Sequence, residues 1–94
     1  MIYEWDQAKA RANLREHGVS FEEGATVFLD LLAVTYPDPD HSEQENREIT
    51  IDHSTRQRLV FVSHTKRGDH TRIISARKAT RRERKQHEES IQNG

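Results

Sequence analysis

Arg72-Ile73-Ile74-Ser75-Ala76-Arg77-Lys78-Ala79-Thr80-Arg81-Arg82-Glu83-Arg84-Lys85 reads as a strand that runs directly into a helix. Through Arg77, apolar and polar residues partly alternate, as they do on a pleated strand. Thr80-Arg-Arg-Glu83 is then a capping box, in which the hydroxyl and the carboxylate each take an orphan amide of a new helical turn. The helix it opens extends to about Ser90, with no large aliphatic residue between Thr80 and Ser90. A helix without an apolar stripe is not held by core packing alone. Its N-terminal end, a partner or a bound polyanion must anchor it.

Upstream, Leu59-Val-Phe-Val62 is apolar on both faces and Glu48-Ile-Thr-Ile-Asp52 alternates cleanly. Both read as strands, with connections of hairpin length at Ser54–Gln57 and Lys66–Asp69. Ala33–Tyr36 is a further strand, ended by Pro37-Asp38-Pro39-Asp40. At the other end, Ile2–Trp5 is a brief strand and Asp6 an N-cap for a helix over Gln7–His17, which Gly18 stops. Ser20-Phe-Glu-Glu23 is a second capping box. Behind it Phe21, Ala25, Phe28, Leu29 and Leu32 recur at helical spacing, predicting a second helix with one apolar stripe as the main core contributor. Strand, helix, helix, antiparallel meander and terminal helix is an α+β pattern, and 94 residues make one domain over 1–94.

The charge is segregated. Residues 56–85 carry 11 Lys/Arg against Asp69 and Glu83, whereas residues 1–55 carry 4 Lys/Arg against 12 Asp/Glu. A chain of net charge −1 therefore conceals a basic pole suited to a polyanion. Only 32% of residues are hydrophobic, so the core is thin and a partner chain is expected to share the burden of stability. With no cysteine, disulfides, thiolate metal sites and a Cys nucleophile are excluded. No secretory signal and no apolar run of about 20 residues is visible, so a cytoplasmic location is expected.

Several side chains could carry chemistry. His64 shares a strand face with Val60, Val62 and Lys66, and the next strand carries Arg72 and Arg77. Such a grouping suits RNA cleavage. An imidazole can move the proton of the 2′-hydroxyl or of the 5′-oxygen, and guanidinium groups neutralise the phosphorane. The plainer reading is a polar strand end at His64 and basic residues that only grip phosphate. Lys9, Asn13 and His17 form a polar stripe on the first helix, either a solvated face or a lining of the same cleft. Trp5 reads as a core anchor. Asp38, Asp40, His41, Glu43 and Glu45 lack the spacing of a calcium loop and read as an acidic loop, and His53 and His70 as scattered residues. No phosphate-binding glycine loop, nucleophile elbow or zinc-protease motif is present. No metal or other cofactor is expected.

The segments Tyr3-Glu-Trp-Asp-Gln-Ala-Lys-Ala-Arg-Ala-Asn13, His17-Gly-Val-Ser-Phe-Glu-Glu23, Tyr36-Pro-Asp-Pro-Asp40 and Arg72–Arg84 together resemble the BrnT toxin family, over almost the entire chain. The resemblance implies a RelE-like fold, with two N-terminal helices packed on a small antiparallel sheet and a polar C-terminal helix. It also implies a ribonuclease toxin of a type II toxin–antitoxin pair, neutralised by a BrnA-like antitoxin with a ribbon-helix-helix DNA-binding part, the complex binding its own operator. Family members often have Tyr where this chain has His87, so His87 is a candidate acid or base. Catalytic candidates are thus His64, Arg72, Arg77 and His87, with Lys9, His17, Lys78, Arg81 and Arg84 for RNA binding and no metal ligands. The expected activity is that of a metal-independent endoribonuclease. The competing readings are a non-catalytic nucleic-acid-binding or transcription-regulating module and a homologue that has lost activity. A nuclease variant loses turnover while still binding RNA, whereas a binder loses only affinity and salt dependence.

Overall fold

Local sequence sets the first elements. The Asp6 carboxylate accepts the Lys9 amide at 3.0 Å and opens α1 (Gln7–His17), and Gly18, at φ 69°, ends it with its N–H on the Leu14 carbonyl. The computed structural model describes residues 2–40 and 46–93. Besides α1 these form β1 (Ile2–Glu4), α2 (Phe21–Ala25), a 3₁₀ turn (Thr26–Leu29), β2 (Val34–Pro37), β3 (Arg47–His53), β4 (Leu59–Arg67), β5 (His70–Lys78) and α3 (Arg81–Asn93). The sheet order is β1-β5-β4-β3-β2. β2 to β5 are antiparallel as expected, but β1 pairs with β5 in parallel, so the sheet is mixed. A parallel neighbour needs a crossover, and here most of the chain supplies it.

Both N-terminal helices lie on one face of the sheet. Val19, Phe21 and Val27 pack there against Val60, Val62, Ile73 and Ala76, and Trp5 meets Phe21 edge-on at 5.9 Å. α2 comes so close that a Cβ on Gly24 would stand 3.2 Å from the Ala76 Cβ. The expected apolar stripe breaks after Ala25. There Thr26 donates its hydroxyl to the Glu23 carbonyl at 2.6 Å and the backbone tightens to 3₁₀. The tighter winding buries Val27 and turns Leu29 and Leu32 outward, to 71% and 85% exposure.

The two capping boxes differ. At α3 both halves form: the Thr80 N–H donates to Glu83 Oε1 at 2.9 Å and the Glu83 N–H to Thr80 Oγ1 at 3.1 Å. At α2 only Ser20 caps, accepting the Glu23 amide at 3.0 Å. The Glu23 carboxylate goes instead to Ser54 and Arg58, across the fold. α3 is anchored by its N-terminal end, through its cap and through Arg77, whose guanidinium grips Glu83 with two bonds of 2.8 and 2.9 Å. None of the described helices is long and apolar enough to cross a membrane.

Candidate active site

The face of the sheet away from α1 and α2 carries one hollow, and a second opens at the end of the sheet, where the β3–β4 turn meets the junction of β5 and α3. Asp38, Arg47, Ile49, Phe61, Ser63, Ile74, Ser75 and Arg77 line the first. The second is lined by His53, Arg58, Lys78 and Arg84 among others. Alternation along β3 and β4 puts Ile49, Phe61 and Ser63 on this open face and Thr50, Val60 and Val62 on the core face. The Arg77 guanidinium carbon sits over the Phe61 ring, 4.5 Å from its centroid, while Glu83 holds its fork. That arrangement draws the Glu83 carboxyl from its ordinary value down to about 2, with Arg77 as the largest cause. Tyr36 belongs to the same neighbourhood: burial raises its hydroxyl pKa, Arg77 lowers it, and Glu83 and Asp38 oppose Arg77.

A bulge in β5 decides where the other arginine points. Ser63 pairs with Ser75 but His64 pairs with Ile73, which leaves Ile74 as an extra residue. The slip resets the alternation, so Arg72 shares the open face with Arg77 where uninterrupted pleating would set them on opposite sides. Arg72 pairs there with Glu4 at 3.3 Å. At about 3.3 Å per residue their backbone positions stand roughly 13 Å apart along the strand.

His64 does not join them, and the expectation that neighbouring strands bring it beside the arginines is corrected. It lies on the core face at 5% exposure, edge-on to Phe28 at 4.9 Å. Its Nε2 is 2.7 Å from Thr50 Oγ1, which is 2.7 Å from Thr35 Oγ1, and its Nδ1 is buried without a partner. Burial pushes this imidazole below its ordinary value, with Glu48 opposing. The neutral ring therefore supports the fold. That contribution is complete above the unfolded-state value of about 6.5 and is lost as pH falls from there through the lowered folded value. The melting temperature is expected to fall as pH drops below about 6.5 in the wild type and to fall less in His64→Leu, which starts lower because Thr50 loses one of its two partners. Equal falls in both, by circular dichroism, would refute the assignment.

Lys9 and His17 also stand apart, exposed on α1 on the helix side of the sheet, where the His17 ring is 3.9 Å from Glu16. The polar stripe of α1 does not line the cleft. Its third member, Asn13, is buried and structural. Lys78 and Arg84 meet in the second hollow, and Arg81 is exposed at the first turn of α3. His87 lies one turn beyond Arg84, its ring centroid 6.4 Å from that of His53. The sequence reading missed Tyr36, Arg47, Phe61 and His53 as site residues. The first three were available from strand alternation, but His53 meets α3 only through the fold.

Asp38 accepts the Asp40 amide at 3.0 Å and shapes the turn after β2, while residues 41–45 of the acidic loop lie outside the described residues. Among the described residues no group of three or more His, Asp or Glu side chains is arranged to hold a metal ion.

The fold is similar to the 1.1 Å crystal structure of the Brucella abortus ribonuclease toxin BrnT, with a TM-score of 0.68 and 21% identity, covering 86% of this chain and 100% of that one. At that identity the likeness is one of fold. No curated protein sequence matches the chain significantly. The model of a sequence family described as the ribonuclease toxin BrnT of type II toxin–antitoxin systems matches residues 5–83, from Trp5 to the Glu83 that grips Arg77. The chain therefore belongs to the BrnT family and is a ribonuclease toxin of a type II toxin–antitoxin system.

Proposed function

We propose that this ribonuclease takes RNA across the open face of the sheet and cleaves it internally without a metal ion. The observation that carries the reading is Arg47 and Arg77 beside the Phe61 ring on the open face, with Lys78 and Arg84 in the hollow at the end of the sheet. Clustered cations, one of them held in place over a half-buried aromatic ring, suit RNA, whose phosphates need neutralising. Glu83 takes one N–H from each terminal nitrogen of Arg77 and the Lys78 carbonyl takes another, at 3.4 Å. Two of the five guanidinium N–H groups remain for a phosphoryl oxygen. Glu83 thus orients Arg77 for the charge that develops on the phosphorane. Arg72, farther along β5, holds a neighbouring phosphate, and Lys78, Arg81 and Arg84 grip the strand beside α3. His87 transfers a proton. His64, Lys9 and His17 take no part, because they stand on the other side of the sheet.

A type II system pairs its toxin with an antitoxin. The antitoxin in this reading is BrnA-like, covers part of the basic face and so occludes the phosphate-binding groups. Its DNA-binding part carries the complex to operator DNA, and the pair works in the cytoplasm.

The test is cleavage of a labelled RNA by the purified chain in EDTA, with wild type and Arg77→Ala. Wild type is expected to cleave in the chelator, and Arg77→Ala to bind RNA within a few-fold yet cleave about 10²–10³-fold more slowly. Activity that needs added metal would overturn metal independence. RNA bound but never cut by wild type would replace the enzyme with a binding module.

A further inference from the structure

His53 ends β3 and His87 sits in the second turn of α3, and their ring centroids are 6.4 Å apart with planes inclined at 61°. The pair stands beside the basic hollow at the end of the sheet. His53 lines that hollow with Arg58, Lys78 and Arg84. Its side chain is 49% exposed, so it is not a core filler, and its Nδ1 is 3.9 Å from Asp52 Oδ1, which leaves Nε2 as the nitrogen to meet a ligand. The charged groups about the pair are Asp52 on β3, Arg58 before β4, Lys78 at the end of β5, and Arg84 on α3. Glu83 also lies on α3, already committed to Arg77.

We infer that His53 and His87 are the acid–base pair of the reaction, standing on either side of a scissile phosphodiester held by Lys78 and Arg84. The inference rests on the nuclease reading of this face and adds a second proton-transfer group to it. A general acid or base must come within about 3 Å of the oxygen it serves, so two rings at this separation can flank a single phosphodiester. One imidazole removes the 2′-hydroxyl proton while the 2′-oxygen bonds to phosphorus. The bond from phosphorus to the 5′-oxygen breaks, and the other ring, protonated, gives its proton to that oxygen. The products are a 2′,3′-cyclic phosphate and a 5′-hydroxyl. No water, metal or redox partner enters, and the two rings end with their protonation states exchanged. Imidazole is the side chain able to serve in both roles near neutral pH.

The experiment follows cleavage of a 5′-labelled synthetic RNA of mixed sequence in EDTA, from about pH 5 to about pH 9, by purified wild type, His53→Gln, His87→Gln and the double variant. Wild type should show a bell-shaped rate profile and leave cyclic phosphate ends, and the same sequence as DNA should stay intact. Each single variant, its circular dichroism unchanged, should lose about 10²–10⁴-fold in rate and flatten one limb of the bell. The double variant should be about as slow as the slower single one, because the two rings act as a unit. If wild type cleaves and His53→Gln stays within a few-fold with both limbs intact, the pair is refuted while the nuclease reading stands. Ends carrying a 5′-phosphate and a 3′-hydroxyl would also refute it. Absence of any wild-type cleavage removes the nuclease reading itself, a different failure from the loss of the pair.

Discussion

Glu23→Ala is expected to unfold most of the isolated toxin at physiological temperature. The Glu23 side chain is 4% exposed and accepts from Ser54 Oγ at 2.7 Å and from Arg58 Nε at 2.9 Å, with Arg58 Nη2 on its other oxygen. Arg58 also donates to the Gly18 carbonyl at 3.0 Å, and Arg56 stands 3.6 Å from the carboxylate. This one carboxylate therefore ties the β3–β4 turn to α2 and to the end of α1. Truncation leaves a buried hydroxyl and a half-buried guanidinium without their acceptor, and breaking such a buried pair costs about 3–5 kcal/mol. For a domain of this size each kcal/mol moves the midpoint by about 4–8 °C, so a drop of about 15 °C or more is expected in thermal denaturation. The thin core leaves little margin against such a loss. Arg58→Ala should cost less, because Ser54 still bonds the carboxylate, and a double-mutant cycle should return strong coupling. The pH sign follows from the same contacts. Arg58 first, then Ser54, hold the Glu23 carboxyl below its ordinary value against burial. The stability it contributes is present above the unfolded value of about 4.3 and is lost as pH falls through the lowered folded one. A Glu23→Ala variant within about 1 kcal/mol of wild type would show that the clamp is not a stability element.

The same residue shows what the sequence could and could not say. Ser20 to Glu23 has the spelling of a capping box, and a local motif assigns the carboxylate to its own helix. The structure gives it to Arg58, which no rule of spacing connects to α2. Thr80 to Glu83 has the same spelling and does form the box, because Arg77 approaches from the preceding strand and leaves the carboxylate in place. Helix starts, strand cores and the Gly18 stop were legible because they are written in neighbouring residues. So was the basic pole.

What was not legible is whatever shifts a period. One extra residue at Ile74 turns Arg72 to the face of Arg77, and simple alternation cannot register it. A 3₁₀ turn at Thr26 rotates Leu29 and Leu32 out of the core, though their helical spacing is regular. His64 was misjudged for a related reason. Polar residues on a strand suggest solvent, yet its partner Thr50 and the Phe28 ring enclose it within the core face. The candidate site was therefore partly readable: most of its cations and the α3 cap lay in one segment and Tyr36, Arg47 and Phe61 followed from strand alternation, whereas His53 reaches it only by helix docking.

Asn13→Leu is expected to be nearly as damaging as loss of Glu23, although leucine is the better helix former and the position reads as part of a polar stripe. β1 pairs with β5 only as far as Arg72, so beyond that point the edge of β5 would face α1 with open peptide groups. Asn13 closes it. Its amide nitrogen donates to the Ala76 carbonyl at 2.7 Å and to the Val19 carbonyl at 2.9 Å, and its oxygen accepts the Ala76 N–H at 3.2 Å. The side chain thus substitutes for a missing strand. Leucine leaves three buried peptide groups unsatisfied at about 1–3 kcal/mol each before any relaxation, so a net loss of about 3 kcal/mol or more is expected. Asn13→Asp separates hydrogen bonding from packing, since it has the same size but sets carboxylate oxygen against two carbonyls. Only its acid form can donate, so the folded state binds the proton more tightly and the introduced carboxyl has a raised pKa. The variant should consequently gain stability relative to wild type as pH falls below about 6 and lose it as pH rises, opposite in sign to the Glu23 effect. Urea denaturation of both proteins at two pH values reads this directly. A constant difference between them would mean that Asn13 acts through shape alone and that β5 is closed by something other than its amide.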